Sequence, residues 1–547
     1  RKNELIVKVV SPAALADAAR VVDIERTDEI DRELPEWKKL TLRKGTDLEG
    51  AIKLLERVGG IAHVERNYVY RASIAGDVKT GFDYVPSEKK FREQWALFNF
   101  GQKVGGRAAR IGADIGILAA WNHRPGVQHA AKDIQVAVID SGITLDHPDL
   151  APNIWHNPGE AGEKATNGID DDENGYVDDS QGWDWTSMKV GGDPTSYNGD
   201  RFPDDGIGHG THVAGIIGAA HDGKGVAGIN ASVRLMALKF LGQDGSGSTE
   251  WGASAILYAV RMGADVINAS WGGGGDSLLL RQVIRHAQDK GVLFVAAAGN
   301  SSLDNDVMAS YPANYPDVFS VVSTDAWDEV SIFSSFGRTK TQIAAPGETI
   351  LSTFKHSLFN RANLSALSGT SMATPQVTGV AAMLMGLYPG KFRRNPEAVK
   401  KRIMETSDIQ GHLLARTASG GRLNAFHAVT GAITPGHYPE EGIDWTREVE
   451  AAIESPHPYT NGAELEWKLS HPGAKWIRLR FGRHSLERVN DYVEVRDRDG
   501  QLVDVLTGYG LTAWSRPVRG DGVTLKLVSN GFVTGWGFEL TAYEVVE

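Results

Sequence analysis

The sequence predicts an α/β protein: a doubly wound parallel sheet between a small N-terminal α+β unit and a C-terminal all-β sandwich. Three observations carry this. Between residues 94 and 432, short apolar β-rich runs alternate with helical stretches, the pattern of a parallel sheet covered by helices. Residues 1–72 mix strands and helices on a smaller scale. From residue 448 to 547 the pattern becomes short alternating strands separated by turns, which suits a sandwich of two antiparallel sheets.

In the first unit, ELIVKVV, KKLTLRKG and IAHVERNYVYRAS read as strands. A helix is expected around residues 12–22, and DLEGAIKLLERVGG has helical periodicity closed by a glycine pair. The polar stretch 73–93 reads as a linker. In the central region DIQVAVID, VRLMALKF, DVINASW, VLFVAAAGN and VFSVVST are strands, with ASAILYAVRMG and LLLRQVIRHAQDKG as helices among them. Functional groups of such sheets gather at the carboxyl ends of the strands. ITPGHYPEEG opens a second linker, 433–447, and AELEWKLS, KWIRLRF, DYVEVRD, QLVDVLTG, VTLKLVSN and GFELTAYE are the strands beyond it.

Composition narrows the function. The chain has 547 residues, a net charge of −12 and no cysteine. Disulfides, thiol catalysis and Cys-ligated zinc are therefore excluded. The acidic balance argues against a nucleic-acid partner, which would need a basic footprint. No run reaches the length of a membrane span.

The chemistry concentrates in four short stretches. GTSMATP places Ser371 at the mouth of an apolar helix, with Pro375 expected in its first turn. Taken alone, Ser371 is an ordinary N-cap; with a base and a carboxylate elsewhere, it is a nucleophile beside helix-terminal N–H donors. VAVIDSG puts Asp140 at the end of a strand, DDGIGHGTHVAG flanks His209 with glycines at a loop-to-helix junction, and FVAAAGN sets Asn300 beyond another strand. Each alone is a turn, packing or capping residue. His212 reads as a packing residue, and a zinc site on His209 and His212 lacks the HExxH arrangement.

Together, in this order and within one α/β region, the four stretches identify residues 94–432 as resembling the subtilisin-like serine proteases (subtilases). The order Asp, His, Ser is that of subtilisin. The resemblance implies that Asp140 orients the imidazole, His209 is general base and then acid, Ser371 is the nucleophile, and Asn300 and the Ser371 N–H bind the oxyanion. ASWGGGGD resembles the strand that pairs with substrate backbone, giving Ser270, Trp271, Gly272 and Gly273. LGQDGSGS resembles the facing strand, giving Gly245, Ser246 and Gly247. Backbone pairing reads little side-chain identity, so broad specificity is expected. Ser310 falls where many subtilases have glycine at the base of the S1 pocket, which implies a shallower or more polar pocket.

NGIDDDENGYVDD offers Asp170, Asp172, Asn174 and the Tyr176 carbonyl at alternate positions, with Asp178 or Asp179 to close a calcium shell. It lacks the Glu of an EF-hand, and the alternative is a solvated acidic turn. By resemblance, Asp149 and Asp222 match the family's tight calcium site. Residues 1–72 resemble the subtilase propeptide, a ferredoxin-like inhibitor and folding chaperone, with cleavage expected between Tyr70 and Gln94. Residues 448–547 resemble a CUB-type sandwich, in which Glu487, Asp491 and Asn530 match calcium positions. Trp514, Phe532 and Trp536 are either a binding face or packing. The expectation is a secreted, monomeric, calcium-stabilised endopeptidase acting on proteins or peptides and made as a zymogen inhibited by its own propeptide. The alternatives are a peptide ligase or cyclase using the same triad, or a silent binding protein on this scaffold. The chain begins at Arg1 without a signal peptide, so an export signal would have been removed ahead of it.

Overall fold

The computed structural model describes residues 3–11, 13–29, 36–66, 82–186, 199–273, 275–356, 361–433, 443–486, 491–529 and 534–547. The chain divides into two compact units, 1–81 and 82–547.

In the first unit, β1 (Glu4–Val9), β2 (Ile24–Glu29), β3 (Trp37–Leu42) and β4 (Ile61–Arg66) form a sheet in the order β2-β3-β1-β4. The pairings are antiparallel. Helices α1 (Ala13–Val21) and α2 (Leu48–Leu55) pack on it through Ala14, Ala18, Ala51 and Leu55, against Leu5, Val7, Leu40 and Leu42. Strand β2, IERTDE, had no apolar alternation to announce it, because it lies at the sheet edge.

The second unit opens earlier than the linker reading allows. Phe91 and Trp95 enter its main core, and the Tyr84 N–H donates to Asn122 Oδ1 at 2.7 Å. Residues 82–93 are thus part of this unit, because burying their aromatic rings outweighs the polar character of the stretch.

After a small hairpin, β5 (Lys103–Val104) and β6 (Arg107–Ala108), and helix α3 (Ile117–His123), the main sheet is laid down. Its strands are β7 (Gln135–Asp140), β8 (Gly182–Asp184), β9 (Arg234–Lys239), β10 (Val266–Ala269), β11 (Leu293–Ala297), β12 (Val318–Thr324) and β13 (Ile343–Pro346), with β16 (Asp408–Ile409) and β17 (Gly421–Arg422) at one edge. The order is β16-β17-β13-β12-β11-β10-β7-β9-β8. All ladders are parallel except β16–β17. Buried on both faces, β11 is apolar throughout, and β12 adds only small hydroxyl residues to its apolar ones. From β10 to β13 successive strands run outward in chain order, whereas β9 and β8 lie on the other side of β7, so the direction of winding switches between β7 and β10, where ligands bind in such sheets.

Helices α4 (His209–Gly218) and α7 (Thr370–Leu387) belong to the core on one face, and α5 (Thr249–Arg261) and α6 (Leu278–Asp289) to that on the other. The antiparallel hairpin of β14 (Ile350–His356) and β15 (Arg361–Leu367) leads directly into α7.

Beyond the short helices α8 (Pro389–Phe392), α9 (Pro396–Glu405) and α10 (Ala425–Thr430), the chain forms a sandwich. One sheet contains β18 (Arg447–Glu454), β27 (Gly537–Val546), β20 (Trp476–Ser485) and β23 (Tyr509–Gly510), with β24 (Ala513–Trp514) and β25 (Val518–Arg519) also on β20. The other contains β19 (Glu464–Ser470), β26 (Gly522–Val528), β21 (Tyr492–Asp497) and β22 (Leu502–Leu506). Tyr459, Phe481, Leu525 and Phe538 fill the space between the two sheets. The sandwich is fastened to the α/β part through Asp504, whose Oδ2 accepts from Arg338 Nη2 at 2.7 Å and from the Arg516 N–H at 2.9 Å. Arg516 Nη1 in turn donates to the Ser419 carbonyl at 2.8 Å.

Candidate active site

The site is built at the carboxyl ends of β7, β10 and β11. Asp140 closes β7, fully buried, and its Oδ1 accepts from the Ser141 N–H and from His209 Nδ1, each at 2.7 Å. His209 is the first residue of α4. The residue before it, Gly208, has φ +89°, and a Cβ there would come 2.4 Å from the Phe354 ring; only glycine fits this entry to the helix. With Nδ1 donating to the carboxylate, Nε2 is left to take a proton. Burial draws the His209 pKa down, but the Asp140 charge, its hydrogen bond and the Asp205 charge outweigh that, and the net shift is upward from 6.5.

Asp205 was not foreseen. It is fully buried. Its Oδ1 accepts from Ser141 Oγ and from the N–H groups of Ile207 and Gly208, and its Oδ2 from Thr211 N–H and Oγ1. Ser141 Oγ also accepts the Gly210 N–H at 2.9 Å. One carboxylate thereby ties the end of β7 to both sides of His209. The only signal in the sequence was its place four residues before the histidine.

Ser371 lies inside α7 rather than at its cap, which is Gly369, and Pro375 lies inside the helix rather than in its first turn. The N-cap reading of Ser371 is therefore set aside. Its hydroxyl donates to the Ser270 carbonyl at 2.9 Å. Asn300 Oδ1 accepts from both the N–H and the Oγ1 of Thr370, each at 2.9 Å, which turns its Nδ2 toward the nucleophile. A Cβ built on Gly369 would lie 3.4 Å from Asn300 Nδ2 and 3.6 Å from the Ser371 N. Both donors thus border one small space that glycine leaves open.

A cleft of about 330 Å³ runs beside the site, lined by Gly245, Ser246 and Gly247 on one side and Trp271, Gly272 and Gly273 on the other. Trp271 is held by its Nε1–H on the Ile139 carbonyl at 2.9 Å, and the Gly273 N–H donates to the Tyr311 carbonyl at 3.0 Å. Ser310 Oγ sits 3.8 Å from a Cβ built on Gly272 and 3.4 Å from one on Gly299. Ser270 does not line this cleft: it is 2% exposed, and its side chain turns to the nucleophile's backbone. His212 is a buried neutral residue whose Nε2–H is shared between the Ile350 and Ser365 carbonyls at 2.9 and 3.0 Å.

The acidic loop folds differently from its spacing. Asp170 and Asp172 come together with Glu160, one oxygen of each lying within 4.8 Å of the others. Glu160 is fully buried and its Oε2 has no partner. Burial, with the charges of Asp179, Asp171 and Asp172, pushes its pKa up to about 7. Glu160 precedes the acidic run and carried no spacing signal. Asp178 and Asp179 do not close this shell. Asp178 pairs with Arg201, and Asp179 accepts from Asn157 Nδ2 at 2.6 Å, Asn174 Nδ2 at 2.9 Å and Tyr258 OH. Asn174 Oδ1 takes the Tyr176 N–H, and the Tyr176 ring packs among Trp183, Trp185 and Tyr258. Neighbouring carboxylates here find a cation or buried donors of their own.

Asp149 is buried and its Oδ2 accepts the Val226 N–H at 3.0 Å. Asp222 pairs with Lys224 at 2.6 Å. Glu88, buried with Oε2 unpartnered, accepts the Gly223 N–H of the same loop at 3.1 Å; it too was missed. In the sandwich, Asp491 is fully buried and accepts from Tyr459 OH. Glu487, Asn530 and Phe532 lie outside the described residues. Trp514 stacks on Arg478 at 4.5 Å, and Trp536 on His457 at 3.7 Å and Arg483 at 4.5 Å.

A carboxylate-oriented imidazole, a serine at a helix start and an amide donor, together at the switch point of a parallel sheet, define the class of serine hydrolases. The subtilase family model matches residues 131–430. The chain is 33% identical over 311 residues to thermitase of Thermoactinomyces vulgaris, which covers 57% of this chain and 91% of thermitase. It is 38% identical over 216 residues to subtilisin DY of Bacillus licheniformis, 39% of this chain and 77% of that one. It is 28% identical over 428 residues to the minor extracellular protease Epr of Bacillus subtilis (strain 168), 77% of this chain and 56% of Epr. A solved protease structure from Pseudoalteromonas arctica PAMC 21717 shares the fold, with a TM-score of 0.50, 24% identity and coverage of 63% of this chain and 99% of that one. The chain belongs to the subtilase family and is a subtilisin-like serine endopeptidase.

Proposed function

We propose that this endopeptidase hydrolyses proteins and peptides outside the cell with broad specificity, is stabilised by calcium, and is made as a zymogen whose first unit is inhibitor and folding aid. The observation that carries the catalytic assignment is the Asp140–His209 hydrogen bond at 2.7 Å beside the Asn300–Thr370–Ser371 turn. An extended peptide pairs with Trp271–Gly273 and Gly245–Gly247 as an added strand. The Ser371 hydroxyl leaves the Ser270 carbonyl and passes its proton to His209 Nε2 as Oγ attacks the scissile carbonyl. Asp140 holds the tautomer and stabilises the imidazolium. Asn300 Nδ2 and the Ser371 N–H receive the oxyanion. His209 then gives its proton to the leaving amine, and water repeats the sequence on the acyl-enzyme.

Glu160, Asp170 and Asp172 would hold one calcium ion. Three hard oxygen donors and a buried carboxylate oxygen without a partner suit that cation. Asp149, Glu88 and Asp222 would hold another around the 222–226 loop. Bound calcium would neutralise these carboxylates and tie their loops against self-digestion.

The test is casein hydrolysis by the wild type and by Ser371→Ala with calcium present, and mass spectrometry of both chains. Cleavage of casein and loss of the N-terminal unit by the wild type alone is the expected result. A wild type that stays intact and inactive although folded would favour a binding protein on this scaffold. Transfer of the acyl group to an added amine in preference to water would favour a ligase.

A further inference from the structure

Pro375 leaves a gap in α7 at a sensitive place. In an α-helix the N–H of residue 375 would bond the carbonyl of residue 371. Proline has no N–H, so the carbonyl of the nucleophile itself loses its helical partner. The Ser270 hydroxyl fills the gap, donating to the Ser371 carbonyl at 2.8 Å. Its own orientation is not free: Asn268 Nδ2 donates to Ser270 Oγ at 2.9 Å, and Asn268 Oδ1 accepts from Thr378 Oγ1 at 2.8 Å. Thr378, Asn268 and Ser270 are all at most 2% exposed. Because Ser270 Oγ already accepts from Asn268, its single proton is committed to Ser371. The peptide plane on the other side of the nucleophile is held the same way, by Thr374 Oγ1 on the Thr370 carbonyl at 2.8 Å.

We propose that Ser270 is a positioning residue for the nucleophile. Its side chain replaces the helix hydrogen bond that Pro375 removes, and the Thr378–Asn268–Ser270 chain fixes the peptide plane after Ser371. That plane fixes how α7 presents Ser371 next to the Asn300 amide. Its role differs from that of the substrate-pairing strand on which it borders, so its loss acts on the chemical step and not on substrate binding.

The prediction is specific to the hydrogen bond, because a second substitution can put it back. In Ser270→Ala the Ser371 carbonyl is buried without a donor, and kcat should fall about tenfold with KM within twofold. Labelling by a fluorophosphonate, which needs no peptide recognition, should slow by the same factor. In Ser270→Ala with Pro375→Ala, residue 375 regains its N–H, and kcat and labelling rate should recover most of the loss. Thr378→Val, which removes only the far end of the chain, should lower kcat a few-fold in the same direction. Rates are referred to the fraction of folded, titratable sites in each variant. A Ser270→Ala enzyme with unchanged kcat, or a double variant no faster than Ser270→Ala alone, would overturn the proposal. Should Ser270→Ala not fold, Thr378→Val decides: an unchanged kcat there overturns it equally.

Discussion

One turn beyond the catalytic histidine, His212 makes the stability of this fold depend on pH. It is fully buried, its Nε2–H is divided between two carbonyls, and its Nδ1 has no partner. A second proton would place a charge on Nδ1 with nothing to receive it. Burial, with the charge of nearby His209, pushes the pKa down to about 4. In the unfolded chain a histidine titrates near 6.5. The native state therefore refuses a proton that the unfolded chain accepts, so the stability is full above pH 6.5 and is lost as pH falls toward 4. A separation of about 2.5 units corresponds to about 3 kcal/mol in all, of which about 2 kcal/mol is lost between pH 7 and pH 5. The assay is urea unfolding followed by tryptophan fluorescence, on Ser371→Ala protein so that self-digestion does not intervene. Measured at pH 7 and pH 5, with and without His212→Gln, the difference of differences isolates His212, since other groups titrate alike in both proteins. His212→Gln should lose about 2 kcal/mol less on acidification than its parent. An equal loss in the two proteins would refute the reasoning, whatever the absolute stability of the variant. The contacts explain why the position tolerates no charge. His212 Nε2 bonds carbonyls of both β14 and β15, and the hairpin answers with Ser352 Oγ on the His212 carbonyl and Thr353 Oγ1 on that of Thr211, at 2.8 and 2.7 Å.

Two further outcomes are expected. Asp205 adds negative charge near His209 and holds its pKa up, so Asp205→Asn should move the acid limb of the kcat/KM profile to lower pH; a limb that stays or rises would refute this electrostatic role. Asp504 is 2% exposed; it pairs with the Arg338 guanidinium across the junction and accepts the Arg516 N–H within the sandwich. Asp504→Ala removes the carboxylate from the Arg338 guanidinium and the acceptor from the Arg516 N–H and should cost about 2 kcal/mol, read as a lower melting temperature with kcat/KM at low temperature unchanged. An unaltered melting temperature would mean that this clamp contributes nothing.

What was legible in the sequence was what has a period or a fixed partner. Five of the main-sheet strands announced themselves because β7, β9, β10, β11 and β12 lie in the middle of the sheet, buried on both faces, and must be apolar. Strands β8, β16 and β17 have two or three residues each, too few to show a pattern, and β13, IAAP, ends in a proline that reads as a breaker. In the sandwich, β19, β20, β21, β22, β26 and β27 were visible in the same way, whereas β18, REVEAAIE, exposes every second residue at a sheet edge and reads as a charged segment. The start of the second unit was misplaced because Tyr84 and Phe91 sit among charged neighbours, and only the partners they meet in space show that they are buried.

The site divides along the same line. Asp140, His209, Asn300 and Ser371 could be named because the four short stretches that hold them, in that order, resemble those of the subtilases; each alone reads as a turn, packing or capping residue. The groups that were missed act at a distance in the chain. Glu160 meets Asp170 and Asp172 only after the loop folds back, and Glu88 reaches Gly223 across 135 residues. Spacing offered Asp178 and Asp179 to a calcium shell because a sequence shows where carboxylates are, but not which of them Arg201, Asn157 and Tyr258 have already claimed. Ser270 is the instructive case. It was placed with the substrate strand by its neighbours, yet its hydroxyl answers a vacancy made by a proline 105 residues later, in another element. A proline after a nucleophile is a local signal for a helix start only while the helix is assumed to begin there. Once the helix begins at Thr370, the same proline states that a carbonyl inside it needs a donor from outside, and the residue that supplies one becomes part of the catalytic geometry without touching the substrate.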